Sequence, residues 1–130
     1  MAIIDAPATT DAFRLTQPSY HQKSIEDYKM ASGPITVDTN TSQELANVLL
    51  DDSTYLWDLG KGCEPDYGVR VRFVQSDDTV DVLFCFACDI LSVYFNGDLV
   101  GGEDFDDARL KMVAIMKELF PQDDVIQSLK

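Results

Sequence analysis

The clearest structural pattern in this sequence lies in Val69-Arg-Val-Arg-Phe-Val-Gln-Ser-Asp-Asp-Thr-Val-Asp-Val-Leu-Phe-Cys-Phe-Ala-Cys-Asp-Ile-Leu-Ser-Val-Tyr-Phe-Asn-Gly97. Apolar residues alternate with arginines over 69–73, which is typical of a β-strand with one buried face. The polar run 76–79 then indicates a turn, and Asn96-Gly97 is a dipeptide that favours a tight β-hairpin. We therefore predict an antiparallel β-meander across this region.

The pairing of the first two strands can be predicted from the turn between them. If residues 76–79 form the turn, Val71 lies opposite Phe84, and one face of the pair becomes a continuous apolar layer. The other face is half polar, and on it the same register places Arg70 opposite Cys85. This half-polar face could meet solvent, a helix or a ligand.

The β-rich run 80–95 is too long to be one straight strand. At about 3.3 Å per residue it would extend about 50 Å, whereas a compact domain of this size has a radius of gyration of about 14 Å. The run must bend or break. We predict the irregularity at 87–89, because Asp89 is a poor strand former.

Two main helices are predicted outside the strands. Thr41-Ser-Gln-Glu44 matches a capping box with Thr41 as N-cap, and the helix that follows extends to about Asp51. The acidic run Glu103–Asp107 opens the second helix, which Pro121 ends. Its cap is Asp104 or Asp106, and its predicted apolar stripe contains Leu110, Val113 and Ala114, with Met116 and Phe120 alongside.

Together these elements predict one α+β domain spanning residues 1–130. Its antiparallel β-meander has about 4–6 strands, with two main helices packed against it. Residues 1–27 have weak periodicity and contain Pro7 and Pro18. We interpret them as a loosely structured N-terminal arm with a short strand at 12–15. Residues 28–31 and 35–37 are predicted as strand pieces separated by a turn.

The charge balance of the chain is strongly acidic. Ten Lys and Arg face 23 Asp and Glu, so that the formal net charge is −13 and the sequence pI is near 4.1. This charge repels nucleic acid and anionic membranes. It either favours a cationic partner such as a basic protein or simply keeps the protein soluble. No apolar run approaches the length of about 20 residues that spans a membrane, and no signal peptide is evident. We therefore predict a cytoplasmic protein.

Three cysteines, Cys63, Cys85 and Cys88, offer the only pattern with a dedicated chemistry. Cys85-x-x-Cys88 has the spacing of a zinc knuckle or a redox pair, and Cys63 could be a third zinc ligand. A fourth ligand would be a carboxylate or His21, the single histidine. On a continuous strand the two sulfurs of the pair would point to opposite faces. Because an odd number of cysteines does not suit a disulfide framework, we expect reduced thiols.

The predicted register distinguishes the two cysteines of the pair. Because side chains alternate between the two faces of a strand, Cys88 is predicted to lie in the core layer as a small apolar residue. Cys85 lies on the other face opposite Arg70, whose guanidinium would favour the thiolate form. Cys85 with Arg70 is therefore the candidate reactive thiol.

Several segments also resemble a group of small uncharacterised bacterial proteins. The resemblance rests on Cys63-x-Pro65-x-Tyr67-Gly68-Val-Arg70-x-Arg72-Phe73, on Val80-Asp-Val-Leu-Phe-Cys85-Phe-x-Cys88, on Gly102-Glu-Asp-Phe-Asp106 and on Leu119-Phe-Pro121-x-Asp123. It covers about half of the chain. It implies a bacterial origin and carries no activity with it.

Two hypotheses about function follow from the residues. The first, which we favour, is a non-enzymatic protein-interaction or regulatory module, because immunity-type and inhibitor proteins use similar charge complementarity. The alternative is a thiol- or zinc-dependent protein that uses Cys63, Cys85 and Cys88. No phosphate-binding loop, dinucleotide fingerprint or hydrolase elbow is present, so we assign no catalytic residue and no further cofactor.

Overall fold

A computed structural model describes residues 2–16, 29–55 and 67–130. These residues form a six-stranded antiparallel sheet and four α-helices, which confirms the predicted α+β class. The strands are β1 (Thr9–Thr16), β2 (Lys29–Thr36), β3 (Val69–Gln75), β4 (Asp78–Cys85), β5 (Ile90–Phe95) and β6 (Asp98–Asp104). The helices are α1 (Ala2–Asp5), α2 (Thr39–Leu49), α3 (Arg109–Leu119) and α4 (Asp124–Gln127), with short 3₁₀ helices at Asp52–Thr54 and Asp106–Ala108.

The strand order across the sheet is β2-β1-β3-β4-β5-β6. Strands β3 to β6 form the predicted meander, and each pairs with the next along the chain. Residues 2–16 form α1 and β1 in place of a loosely structured arm, and β1 contains the short strand predicted at 12–15. Strand β1 lies inside the sheet and pairs with β2 on one side and β3 on the other. The remainder of the predicted arm, 17–27, lies outside the described residues.

The main core lies between one face of the sheet and the helices. Each of the four α-helices contributes buried apolar side chains to it, and so do β1 and β3 to β5. Phe73 and Phe84 from the sheet and Phe105 after β6 are its largest fully buried residues. None of the helices in the described segments is long and apolar enough to cross a membrane.

The register between β3 and β4 differs from the prediction by two residues. Val71 pairs with Val82 rather than with Phe84, because the turn holds only Ser76 and Asp77. Ser76 has a φ of 56°, as a tight two-residue turn requires at its first position. Since the shift is an even number, every side chain stays on its predicted face.

The long β-rich run breaks where the prediction placed its irregularity. Strand β4 ends at Cys85, residues 86–89 form a turn in which Asp89 has a φ of 54°, and Ile90 pairs back with Cys85. The break is therefore a complete chain reversal. Asn96-Gly97 forms the next tight hairpin, as predicted, with positive φ at both residues.

Strand β2 is continuous across the predicted turn. Its register against β1 shifts between Ala12 and Arg14, which identifies an irregularity at Gly33 and Pro34. Gly33 has a φ of +109°, and a Cβ at this position would lie 2.9 Å from the carbonyl oxygen of Ala12. The glycine therefore allows the two backbones to approach closely.

The predicted caps of the two main helices are both wrong. Helix α2 begins one turn earlier than expected, with Asp38 as its N-cap accepting from the backbone N–H of Thr41 at 2.7 Å. This backbone hydrogen bond lowers the pKa of Asp38. At the second helix, β6 continues to Asp104 and a 3₁₀ helix follows. Helix α3 then begins at Arg109 without a side-chain cap.

The predicted apolar stripe of helix α3 is only partly correct, because Val113, Met116 and Phe120 are buried but Leu110 and Ala114 are exposed. The buried residues of the helix are Met112, Val113, Ile115, Met116 and Leu119. Leu110, predicted to be on the apolar stripe, is 78% exposed. The sequence contains two overlapping apolar stripes, and the sheet buries the one with four large residues at helical spacing, 112, 115, 116 and 119. The helix ends at Leu119, close to Pro121 as predicted.

Candidate functional site

The second face of the sheet carries a separate buried apolar cluster that contains both Cys85 and Cys88. Its buried members are Leu15, Tyr67, Leu83, Cys85, Cys88 and Tyr94. Cys85 is only 1% exposed and Cys88 is 8% exposed. The prediction that the pair divides between two faces is wrong, because the turn at 86–89 returns Cys88 to the side of Cys85.

The two cysteines differ in chemical state. Cys85 is a free thiol, whereas Cys88 is disulfide-bonded, contrary to the expected reduced state. A disulfide sulfur is not a thiolate, so Cys88 cannot act as a zinc ligand in this form. The other proposed ligands, Cys63 and His21, lie outside the described residues. Within the described segments, no group of three or more His, Cys, Asp or Glu could hold a metal ion, and the zinc hypothesis stays a prediction.

Arg70 is engaged by a carboxylate on the same face as Cys85. It pairs with Leu83 in the sheet, so the predicted position opposite Cys85 is wrong. Its Nε donates to Oδ1 of Asp81 at 2.9 Å, and Nε of Arg72 donates to the same oxygen at 2.9 Å. Asp81 is 2% exposed, and the guanidinium of Arg70 also lies over the ring of Phe13. The two arginines therefore neutralise a buried carboxylate.

An open pocket of about 650 Å³ lies at the end of the sheet where β4 turns into β5. Apolar side chains such as Phe84, Phe86 and Ile126 line it together with Arg14 and Arg109. The volume suits a small ligand. Each arginine already has an acidic partner, Asp123 for Arg14 and Asp89 for Arg109. The pocket therefore offers no uncompensated positive charge to an anion.

The positive and negative side chains of the protein differ in how many of them are paired. All four arginines of the chain, Arg14, Arg70, Arg72 and Arg109, are paired with carboxylates. Many other carboxylates are exposed: Asp5, Asp38, Glu44, Asp51, Asp77, Asp78, Asp98, Asp107, Glu118 and Asp124. Of the lysines whose side chains the structure describes, Lys111 and Lys130 are exposed. The described surface is therefore strongly negative.

Strand β6 lies at one edge of the sheet and carries two exposed apolar side chains. Leu99 is 62% exposed and Val100 is 58% exposed. Within the described part of the chain, β6 pairs with β5 alone. Acidic residues lie at both ends of the strand, Asp98 before Leu99 and Glu103 after the two glycines. The exposure of this strand could not be predicted from local sequence, because it depends on the order of strands in the sheet.

Comparisons of the chain with protein-family models, with curated proteins and with solved structures found no match. Function must therefore be inferred from the residues themselves. Of the residues proposed from the sequence, Cys85 and Cys88 lie in one buried cluster, and Arg70 belongs to the ion pairs of Asp81. The carboxylates and the β6 edge, by contrast, face solvent.

Proposed function

We propose that this protein is a non-enzymatic binding module that recognises a basic protein through electrostatic complementarity. The distribution of charge carries the proposal: each arginine is paired with a carboxylate within the fold, while the exposed carboxylates outnumber the remaining cations. Such a surface accelerates the encounter with a cationic partner and disfavours anionic ones.

The burial of Cys85 supports a binding function rather than thiol chemistry. A nucleophilic or metal-binding cysteine needs access to its substrate or ion, and such residues are partly exposed. Cys85 is 1% exposed and lies among apolar side chains. Within the described segments no buried side-chain nitrogen or oxygen lacks a hydrogen-bond partner, which is typical of a structural cluster.

The proposal is tested by the salt dependence of association with a purified partner. Proteins captured from a bacterial lysate at low salt are identified, and each candidate is purified and titrated against this protein. We expect one basic protein to form a saturable one-to-one complex, with an association rate that falls about tenfold or more between 20 and 300 mM salt.

A charge-reduced variant provides the control for this experiment. Asp77→Asn, Asp98→Asn and Asp107→Asn together remove three exposed carboxylates without changing side-chain size. We expect this variant to associate more slowly and to depend less on salt, with an unchanged circular dichroism spectrum. An association rate that does not change with salt, or the absence of any saturable complex, contradicts the proposal.

A further inference from the structure

We propose that the outer edge of β6 binds an extended cationic segment of the partner, which adds a further strand to the sheet. This inference rests on the proposed function, since it names the surface and the conformation by which a basic partner is recognised. Addition of a strand to an exposed sheet edge is a general mode of peptide recognition, in which main-chain hydrogen bonds give affinity and side chains give specificity.

The backbone of β6 is accessible from its outer side. Residues 98–102 are all exposed, and β6 pairs with β5 alone among the strands of the described segments. A Cβ placed on Gly101 would meet no atom within 4 Å. An edge of this kind presents unpaired N–H and C=O groups to an incoming strand. Lysine, which often protects exposed edges, is absent from β6.

Two of the three carboxylates of β6 lie on one face of the sheet, whereas Leu99 and the buried Asp104, which pairs with Ile90, lie on the other. Asp98 pairs with Phe95, and Glu103 pairs with Leu91, and both partners belong to the main core. Because cross-strand neighbours share a face, the two carboxylates lie on the helix side. Leu99 pairs with Tyr94 of the second cluster and therefore lies on the other side.

This arrangement defines the sequence of the incoming strand. A segment that alternates Lys or Arg with apolar residues places its cations beside the two carboxylates and its apolar side chains beside Leu99. Val100 forms a one-residue bulge, since Tyr94 pairs with Leu99 and Val93 pairs with Gly101. Asp98 and Glu103 are then about four strand positions, or about 13 Å, apart. Cations at positions i and i+4 of the segment match this spacing.

The same charges disfavour a second copy of this chain as the occupant. Antiparallel pairing of two β6 strands around Gly101 would bring Asp98 of each copy towards the acidic end, Glu103 and Asp104, of the other. Like charges opposite each other destabilise a strand pair. A cationic segment removes this repulsion and gains an attraction in its place.

Two synthetic peptides test the edge directly. The first is a nine-residue peptide that alternates lysine and valine. The second has the same side chains but is N-methylated at two adjacent central residues, so that both of its edges lose a hydrogen-bond donor. We expect the first peptide to bind at low salt, with amide shifts concentrated at 98–104. The second should bind about tenfold more weakly or worse, because main-chain hydrogen bonds are lost.

A matched pair of variants separates edge binding from charge alone. Leu99→Glu with Val100→Glu makes the edge more acidic but removes its apolar contacts, and we expect it to weaken binding of the lysine-valine peptide about fivefold or more. The control, Leu50→Glu with Leu110→Glu, adds the same charge at other exposed leucines and should bind the peptide normally. Attraction by charge alone predicts equal or tighter binding for both variants.

Any other result contradicts the proposal that the β6 edge binds a cationic strand. If both peptides bind equally, the acidic surface attracts cations without strand addition, and the proposed function stands while the edge inference fails. If neither peptide binds, or if β6 pairs two copies of this chain at micromolar concentration, the edge is not a cationic binding surface. The proposed function is decided separately, by the salt dependence of the purified partner.

Discussion

The Nε of Arg14 in β1 donates to Oδ2 of Asp123 at 2.6 Å, and this contact joins residues 109 positions apart in the chain. The other carboxylate oxygen of Asp123 accepts from the backbone N–H of Ile126 at 3.0 Å and caps α4. Burial pushes the pKa of Asp123 upward, but the hydrogen bonds from Arg14 and Ile126 and the charge of Arg14 outweigh it and lower the pKa. One carboxylate therefore caps α4 and connects it to the sheet.

Asp123→Asn should destabilise the protein in a pH-dependent way. The folded-state pKa of Asp123 is lowered from its ordinary value of 3.8, so its stabilisation is present above that value and is lost as the pH falls through the folded-state pKa. We expect the variant to unfold with about 1–2 kcal/mol less free energy at pH 7, and we expect this difference to shrink as the pH falls below 3.8. Urea unfolding at a series of pH values measures the difference. A difference that stays the same at every pH would exclude the ion pair as its source.

The thiol count of the oxidised protein should change with denaturation and reduction. Cys85 is free and buried, whereas Cys88 is disulfide-bonded. The native protein should show no fast-reacting thiol, the denatured protein one, and the denatured and reduced protein all three. Three thiols in the unreduced wild type would show that the disulfide is absent.

Asp81→Asn should cost more stability than Arg72→Met. Removal of the charge of Asp81 leaves Arg70 and Arg72 side by side without a carboxylate, and we expect a loss of about 2–4 kcal/mol. Removal of Arg72 leaves Asp81 hydrogen-bonded to Arg70 and should cost about 1 kcal/mol. Chemical unfolding of both variants tests the order. Equal losses would mean that the two arginines do not share the carboxylate.

Gly33→Ala should lower the free energy of unfolding much more than Gly101→Ala. Gly33 combines a φ of +109° with a Cβ position 2.9 Å from a backbone oxygen, so alanine would strain the backbone and displace β1. We expect a loss of about 2 kcal/mol or more. Gly101 has open space at its Cβ position, and its alanine variant should stay within about 0.5 kcal/mol of wild type. Thermal unfolding of the two variants tests this expectation. Similar melting temperatures for both would contradict the predicted difference in stability.

Met112→Ala and Leu110→Ala report which face of α3 is buried. Met112 is fully buried and its truncation should cost about 2–4 kcal/mol. Leu110 is 78% exposed, and its truncation should cost less than about 0.5 kcal/mol. Urea unfolding under identical conditions compares the two. A larger loss at Leu110 would mean that the helix is rotated relative to the sheet.

The meander was predictable because its signal is local. Alternation over 69–73 assigned each side chain to a face, and this assignment survived a register error, since the shift was even. The turn length was not predictable, because four polar residues at 76–79 suit either a two-residue or a four-residue turn. Helix α2 illustrates the same limit: Asp38 and Thr41 are both good N-caps, and only the packing of the first turn selects between them.

The candidate site was less predictable because it depends on contacts between distant segments. The position of the break at 87–89 followed from length and composition, but the return of Cys88 to the side of Cys85 follows only from the full reversal. The exposure of Leu99 depends on β1 and β2, which extend the sheet beyond β3 and leave β6 at the opposite edge. No local pattern in 98–104 encodes this arrangement.

The internal position of β1 has a consequence for the order of folding. Thr9 pairs with Val74 and Arg14 with Val69, so β1 gains its β3 partner only after about 60 further residues have been synthesised. The hairpins between β3 and β6, by contrast, connect neighbouring segments and can form as they leave the ribosome. Because long loops close more slowly than short ones, we expect the meander to form early and the docking of β1 to limit the folding rate.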